Sequence, residues 1–159
     1  MVEAEFTVGL VISRHAPVSI WGEPLWVPSQ VLEGVPAAPP WTVLSVSRER
    51  TSYFVGAFTV RLYSTDTAAY RDNLTSGEPK LWVVMRPLGP EPPVEIVQVT
   101  ADPTEGEGAT QTGSNVVGVV EMPPGIAAQI AQFVTEHHVE RVFEKRTRDK
   151  SQPRGRRGA

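Results

Sequence analysis

Apolar and polar residues alternate with the two-residue period of a strand along most of this chain, and helical spacing replaces it in only two clear places. Phe6 to Ser13 sets Phe6, Val8, Leu10 and Ile12 on one face and Thr7, Gly9, Val11 and Ser13 on the other, which predicts a first strand. Turn residues follow, Pro17 and then Gly22-Glu23-Pro24. Leu25 to Leu32 predicts a second strand, and Pro28 confines it to a sheet edge because proline has no N–H for the ladder. The Pro/Ala-rich stretch from Gly34 to Pro40 reads as a loop, and Trp41 to Ser47 as a short third strand. Tyr53 to Tyr63 alternates most clearly, with Phe54, Gly56, Phe58, Val60 and Leu62 expected on one side. Gly56 between aromatics predicts a bend or a close backbone approach there. Leu81 to Met85, Val94 to Thr100 and Val116 to Met122 complete the strands.

Ser64 or Thr65 is placed to cap a short helix from Asp66 to about Leu74, where Tyr70 and Leu74 fall four apart on an inward face. Gly77 provides its stop. Pro123-Pro124 opens the longest helix: Ile126, Ile130, Phe133, Val134 and one of His137 or His138 keep helical spacing to about Phe143. Asp102 to Gly113 reads as a short helical turn and then a loop, since Gly106 and Gly108 each cost about 1 kcal/mol inside a helix. The sum is an α+β fold, a mixed or mainly antiparallel sheet of about 6–7 strands packed against the long C-terminal helix, with one short helix besides. Residues 1–148 are expected to form a single domain, and 149–159 a basic disordered tail.

Composition sharpens this picture mainly by exclusion. A chain of 159 residues is long enough to bury a core without staples. It has no cysteine, which removes disulfides, thiolate metal sites and thiol nucleophiles together. Its acidic start, Met1-Val2-Glu3-Ala4-Glu5, does not read as a secretory signal, and no stretch approaches the roughly 20 apolar residues of a membrane span. A soluble, cytoplasmic protein is expected. Charge is divided unevenly: seven basic and fifteen acidic residues up to His138 give −8, and eight against three from Val139 onward give +5, which leaves the formal −3.

No pattern identifies a reaction. There is no Gly-rich dinucleotide fingerprint and no phosphate loop ending in Gly-Lys-Ser/Thr. Free N–H groups at Gly125 could meet an anion, although a plain helix start explains them. His15 has no second ligand at useful spacing, and adjacent His137 and His138 diverge on a helix, so one edges the packed face while the other meets solvent. Glu105 and Glu107 read as a solvated loop, and Ser47, Ser52 and Ser64 lack a nucleophile elbow. No catalytic, cofactor or metal residue is assigned. The candidates are partner-binding ones: Trp21 or Trp26 as an apolar anchor, and Arg141, Lys145, Arg146 and Arg148 as charge for an acidic protein partner. Nucleic acid is disfavoured because the acidic body would repel it. The alternative is an enzyme or carrier for a phosphorylated ligand, held near Gly125 or the Gly106–Gly113 loop with Arg71, Arg86 or the basic tail neutralising it.

Several segments also resemble a bacterial family. They are Val8 to Arg14, Trp26, Val31-Leu32-Glu33-Gly34, the run from Leu62 to Leu74, Leu81 to Arg86, Val99 to Pro103, Val119 to Pro124, Phe133, His137 and Lys145-Arg146. The Tyr-x-x-Asn-Leu helix segment and the Met-Pro-Pro helix start are the more specific pieces. The family resembled is a proteobacterial domain of unknown function whose genes often neighbour those for molybdenum-containing formate dehydrogenase. The resemblance implies an accessory role in maturation of that enzyme, with a formate dehydrogenase subunit or maturation factor as partner, and brings no catalytic residues. Some members carry the label molybdopterin-guanine dinucleotide biosynthesis protein A, a guanylyltransferase. Such an enzyme opens with a Gly-rich loop after its first strand, where this chain has Ser13-Arg14-His15-Ala16-Pro17, so that label is not carried over.

Overall fold

A computed structural model describes residues 3–89, 92–111 and 113–138. Among these residues seven strands and three α-helices follow in the order β1 (Glu3–His15), β2 (Leu25–Leu32), β3 (Thr42–Val46), β4 (Arg50–Tyr63), α1 (Thr67–Leu74), β5 (Lys80–Pro87), β6 (Val94–Thr100), α2 (Pro103–Gly108), β7 (Val116–Glu121) and α3 (Pro124–His137). They build two antiparallel sheets, ordered β2-β1-β4-β3 and β6-β5-β7. The expected α+β architecture is therefore present, with its sheet divided in two.

The core lies between the sheets, because each central strand carries a β-branched or aliphatic residue at every second position. Val8, Leu10 and Ile12 of β1 share one cluster with Leu81, Val83 and Met85 of β5. Ile126, Ile130, Phe133 and Val134 of α3 enter it beside Tyr70 of α1, which is the inward stripe predicted by their spacing. Pro28 puts β2 at a sheet edge, as expected, and its ring fills the space a side chain at Gly118 of β7 would need: an added Cβ would lie 2.6 Å from Pro28 Cδ. Edges β2 and β7 thus meet by close packing, which suits a residue that cannot donate a ladder bond.

Three local expectations need correction. Phe54 does not share a face with Val60 and Leu62. The β1–β4 register slips between Leu10 and Val11, Gly56 takes φ +126°, and Phe54 pairs with Val11 on the outer face. There it lies against the position of Gly9, close to Pro36, so the Pro-rich loop after β2 roofs a second buried patch. Neither Ser64 nor Thr65 is the cap of α1; both belong to a 3₁₀ turn over Ser64–Asp66, and Asp66 is the residue before the helix. The segment after Asp102 is more helical than its glycines suggest. Asp102 Oδ1 accepts from the N–H groups of Thr104 and Glu105, and Gly106 fits because an added Cβ would stand 2.5 Å from Trp82 Cβ. The predicted extension of the last helix to Phe143 and the basic tail lie outside the described residues.

Candidate functional site

The long strands β1 and β4 carry their connecting loops to one end of the sandwich, far from α1 and α3. Ala16 N–H donates to Glu49 O at 2.8 Å, tying the β1–β2 connection to the β3–β4 turn. Within that connection Gly22 N–H donates to Ser19 O at 3.0 Å and Trp21 N–H to Ser19 Oγ at 3.0 Å, a tight turn that points its large side chains outward. Val18 is 106% exposed, and Ile20 and Trp21 are each 88% exposed. Loop tips normally carry polar groups, so three bare apolar side chains within four positions mark a surface suited to contact.

Trp26 is placed differently. It is half-buried and belongs to an aromatic cluster, its ring 5.9 Å from Trp41 and 5.7 Å from Tyr53, with Trp41 and Tyr53 5.5 Å apart. Trp41 adopts φ +70°, a left-handed conformation held by its N–H to Phe54 O at 2.6 Å and by this packing. Beside the cluster an apolar cleft of about 570 Å³ opens between Pro24, Leu25 and Trp26 on one lip and Leu88, Pro93 and Val94 on the other. Glu23 is its charged lining residue, and Leu25 and Leu88 stay 62% and 47% exposed. Trp26 therefore serves as a fixed wall, and Trp21 as the projecting residue.

The cations of the described residues divide by ion pairing, with Arg71 of α1 and the three arginines of this end outside any pair and Glu49 lying between Arg48 and Arg50. Arg61 pairs with Glu5 at 2.8 Å, Lys80 with Glu78 at 3.4 Å and Arg86 with Glu95 at 2.6 Å. Arg14, Arg48 and Arg50, brought together by the β1–β4 register and the turn between β3 and β4, make no ion pair among the described residues. Sequence reasoning passed over these three. Arg48 and Arg50 are neighbours in the sequence, and the β1–β4 pairing, with Arg14 opposite Thr51, brings the third to the same end. Arg141, Lys145, Arg146 and Arg148 fall outside the described residues.

The other candidates are scattered. His15 ends β1 opposite Arg50, whereas His137 sits on α3 with its ring 4.6 Å from that of Phe133, and His138 Nδ1 lies 3.0 Å from Thr67 Oγ1. Among the described residues no group of three or more His, Asp or Glu side chains could hold a metal ion. The start of α3 is already occupied by a carboxylate of this chain, Glu33 Oε2 accepting from Gly125 N–H at 3.1 Å. Glu105 accepts from the Thr100 hydroxyl at 2.6 Å at the edge of a second, polar groove of about 360 Å³ between β4 and β6. Arg71 on α1 and Arg86 near the far end of β5 do not converge on one place. Burial pushes the Tyr70 phenol up, and its oxygen accepts from Tyr63 N–H at 3.0 Å, so it is a core group. No helix of the described residues is long and apolar enough to cross a membrane.

Comparison with protein families matches residues 7–147 to DUF3305, a family described as protein of unknown function, and the chain belongs to that family. Comparisons with curated proteins and with solved structures give no match.

Proposed function

From membership of this family and the surface just described, we propose that the chain is a non-catalytic, cytoplasmic accessory protein that binds an acidic protein partner through its loop end. The observation that carries this reading is Trp21, 88% exposed beside an equally exposed Ile20 on a hydrogen-bonded turn. Tryptophan and arginine dominate interface hot spots, and Arg14, Arg48 and Arg50 stand at the same end. A partner with an apolar pocket and a carboxylate rim would complement both. Arg141, Lys145, Arg146 and Arg148 add charge of the same sign from the C-terminal segment. The partner we infer is a subunit or maturation factor of a molybdenum-dependent formate dehydrogenase, an inference supported by the sequence resemblance alone.

Titration of the full chain against purified formate dehydrogenase subunits and maturation factors tests this. Trp21→Ala is expected to weaken binding about 30-fold, the loss of a hot-spot residue worth about 2 kcal/mol. Reversing Arg141, Lys145, Arg146 and Arg148 to Glu should weaken it further and flatten its dependence on salt. Equal affinity for wild type and Trp21→Ala would remove the loop from the mechanism.

A further inference from the structure

The chain leaves α3 beside a groove whose charge is opposite to that of the residues that follow. His138, the last described residue, has Nδ1 3.0 Å from Thr67 Oγ1, and the Phe133 ring lies 6.4 Å from that of Tyr70. α3 therefore ends against the first turn of α1, and only Ser64–Asp66 separate that turn from the end of β4. That end is Tyr63, whose N–H donates to the Tyr70 oxygen and which lines the polar groove between β4 and β6. Neither wall of the groove has a ladder partner on that side among the described residues: β3 covers β4 only as far as Phe54, and β6 is last in its sheet. Charge there is one-sided. Arg61 is taken by Glu5 at 2.8 Å, whereas the exposed Glu105 accepts from the Thr100 hydroxyl and pairs with no cation among the described residues. Burial is the chief cause that pushes the Tyr70 phenol up, and the charges of Asp66, Asp102 and Glu105 add to it, so these three carboxylates gather at the same end.

We propose that this groove is an intramolecular docking site for residues 139–148 of the same chain, with Arg141 and Lys145 meeting Asp66 and Glu105. The segment carries Arg141, Lys145, Arg146 and Arg148 against Glu140 and Glu144, so it complements a negative groove. Its attachment selects it over other occupants. Lys145 stands seven residues after His138, within reach of the groove on at most about 25 Å of extended chain. A tether this short holds the segment at an effective concentration of about millimolar, which a second copy or an outside protein would have to match. The inference does not depend on the partner reading, but it sets a condition on it: an acidic partner must draw these cations off the groove before it can use them.

Zero-length carbodiimide coupling of the full chain tests it, because Lys80, Lys145 and Lys150 are the only lysines. Lys80 and Glu78, 3.4 Å apart, supply the reference couple. Lys145 is expected to couple within one chain to Glu105 or Asp66. That yield should fall at least about threefold between about 0.1 and 1 M salt, as the screening length contracts from about 10 to about 3 Å. Glu105→Gln, which can still accept from Thr100, should speed trypsin cleavage after Arg141 and Lys145 at least about threefold at low salt. Cleavage rates equal to wild type, with Lys145 coupled no more to Glu105 or Asp66 than to Glu23 or Glu49 of the loop end, would overturn the docking. Couples between Lys145 and Glu105 found only across two chains, in a species of dimeric mass, would give the groove to a second copy and overturn it too. Neither result bears on the Trp21 titration, which reads the opposite end of the molecule.

Discussion

Gly106 shows how a single residue can be misjudged from sequence and explained by a contact. Its presence in a helix costs about 1 kcal/mol by propensity alone. The fold requires it because Trp82, on a strand distant in the chain, occupies the place of its side chain, and the clash would involve the rigid base of the indole side chain. Gly106→Ala should therefore destabilise by about 1–3 kcal/mol through overpacking. Gly108→Ala, with nothing within 4 Å of the added methyl, should be neutral or slightly stabilising. Chemical denaturation of the pair checks the difference, and equal effects would count against the close packing of α2 on Trp82. Tyr70 makes a second residue-scale prediction. Burial raises its folded-state pKa above the unfolded value, so the neutral phenol stabilises fully below the ordinary tyrosine range, and this contribution is lost as pH rises above about 10. Tyr70→Phe should cost about 1 kcal/mol near neutral pH by leaving Tyr63 N–H without its acceptor, and should reduce the alkaline loss of stability. Melting curves followed across that pH range give both numbers.

At the scale of elements, legibility followed the range of the forces involved. Leu25–Leu32 and Val94–Thr100 matched their predicted spans because alternation and flanking turn residues are local signals. Pro28 identified an edge for an equally local reason, its missing N–H. Gly56 was correctly marked as a bend, yet the consequence for Phe54 was not legible: the pleat reverses only when the bulge is paired against β1. The tie between Glu33 and the first turn of α3 was hidden as well, since it joins residues at opposite ends of the sequence. That tie has a measurable consequence. Glu33→Gln keeps the shape but removes the negative charge facing the helix N-terminus, and should lower stability by about 0.3–1 kcal/mol at low salt. The difference should shrink in high salt, as thermal melts at two ionic strengths would show. A loss that ignores salt would make the contact one of packing.

On the scale of the whole molecule, the helices close one end of the sandwich and leave the loop end to present apolar groups. Trp21 and Trp26 show why the sequence could name this region without separating its roles. Both sit among prolines and turn residues, and only the fold makes one a wall of the core and the other a projection. That Arg14 joins Arg48 and Arg50 was equally invisible, because the pairing of β1 with β4 brings it to their end. If the division is right, the two tryptophans must respond unequally to removal. Trp26→Ala opens the aromatic cluster beneath the cleft and should destabilise by about 2–4 kcal/mol, short of a fully buried ring because one side already meets solvent. Trp21→Ala removes a side chain that touches mostly water and should change stability by less than about 0.5 kcal/mol. Iodide quenching of tryptophan fluorescence reports the same division without a partner: the readily quenched emission should disappear in Trp21→Ala and persist in Trp26→Ala. A stability loss in Trp21→Ala comparable to that of Trp26→Ala would mean that the loop packs on the body, and the proposed anchor would then be part of the core.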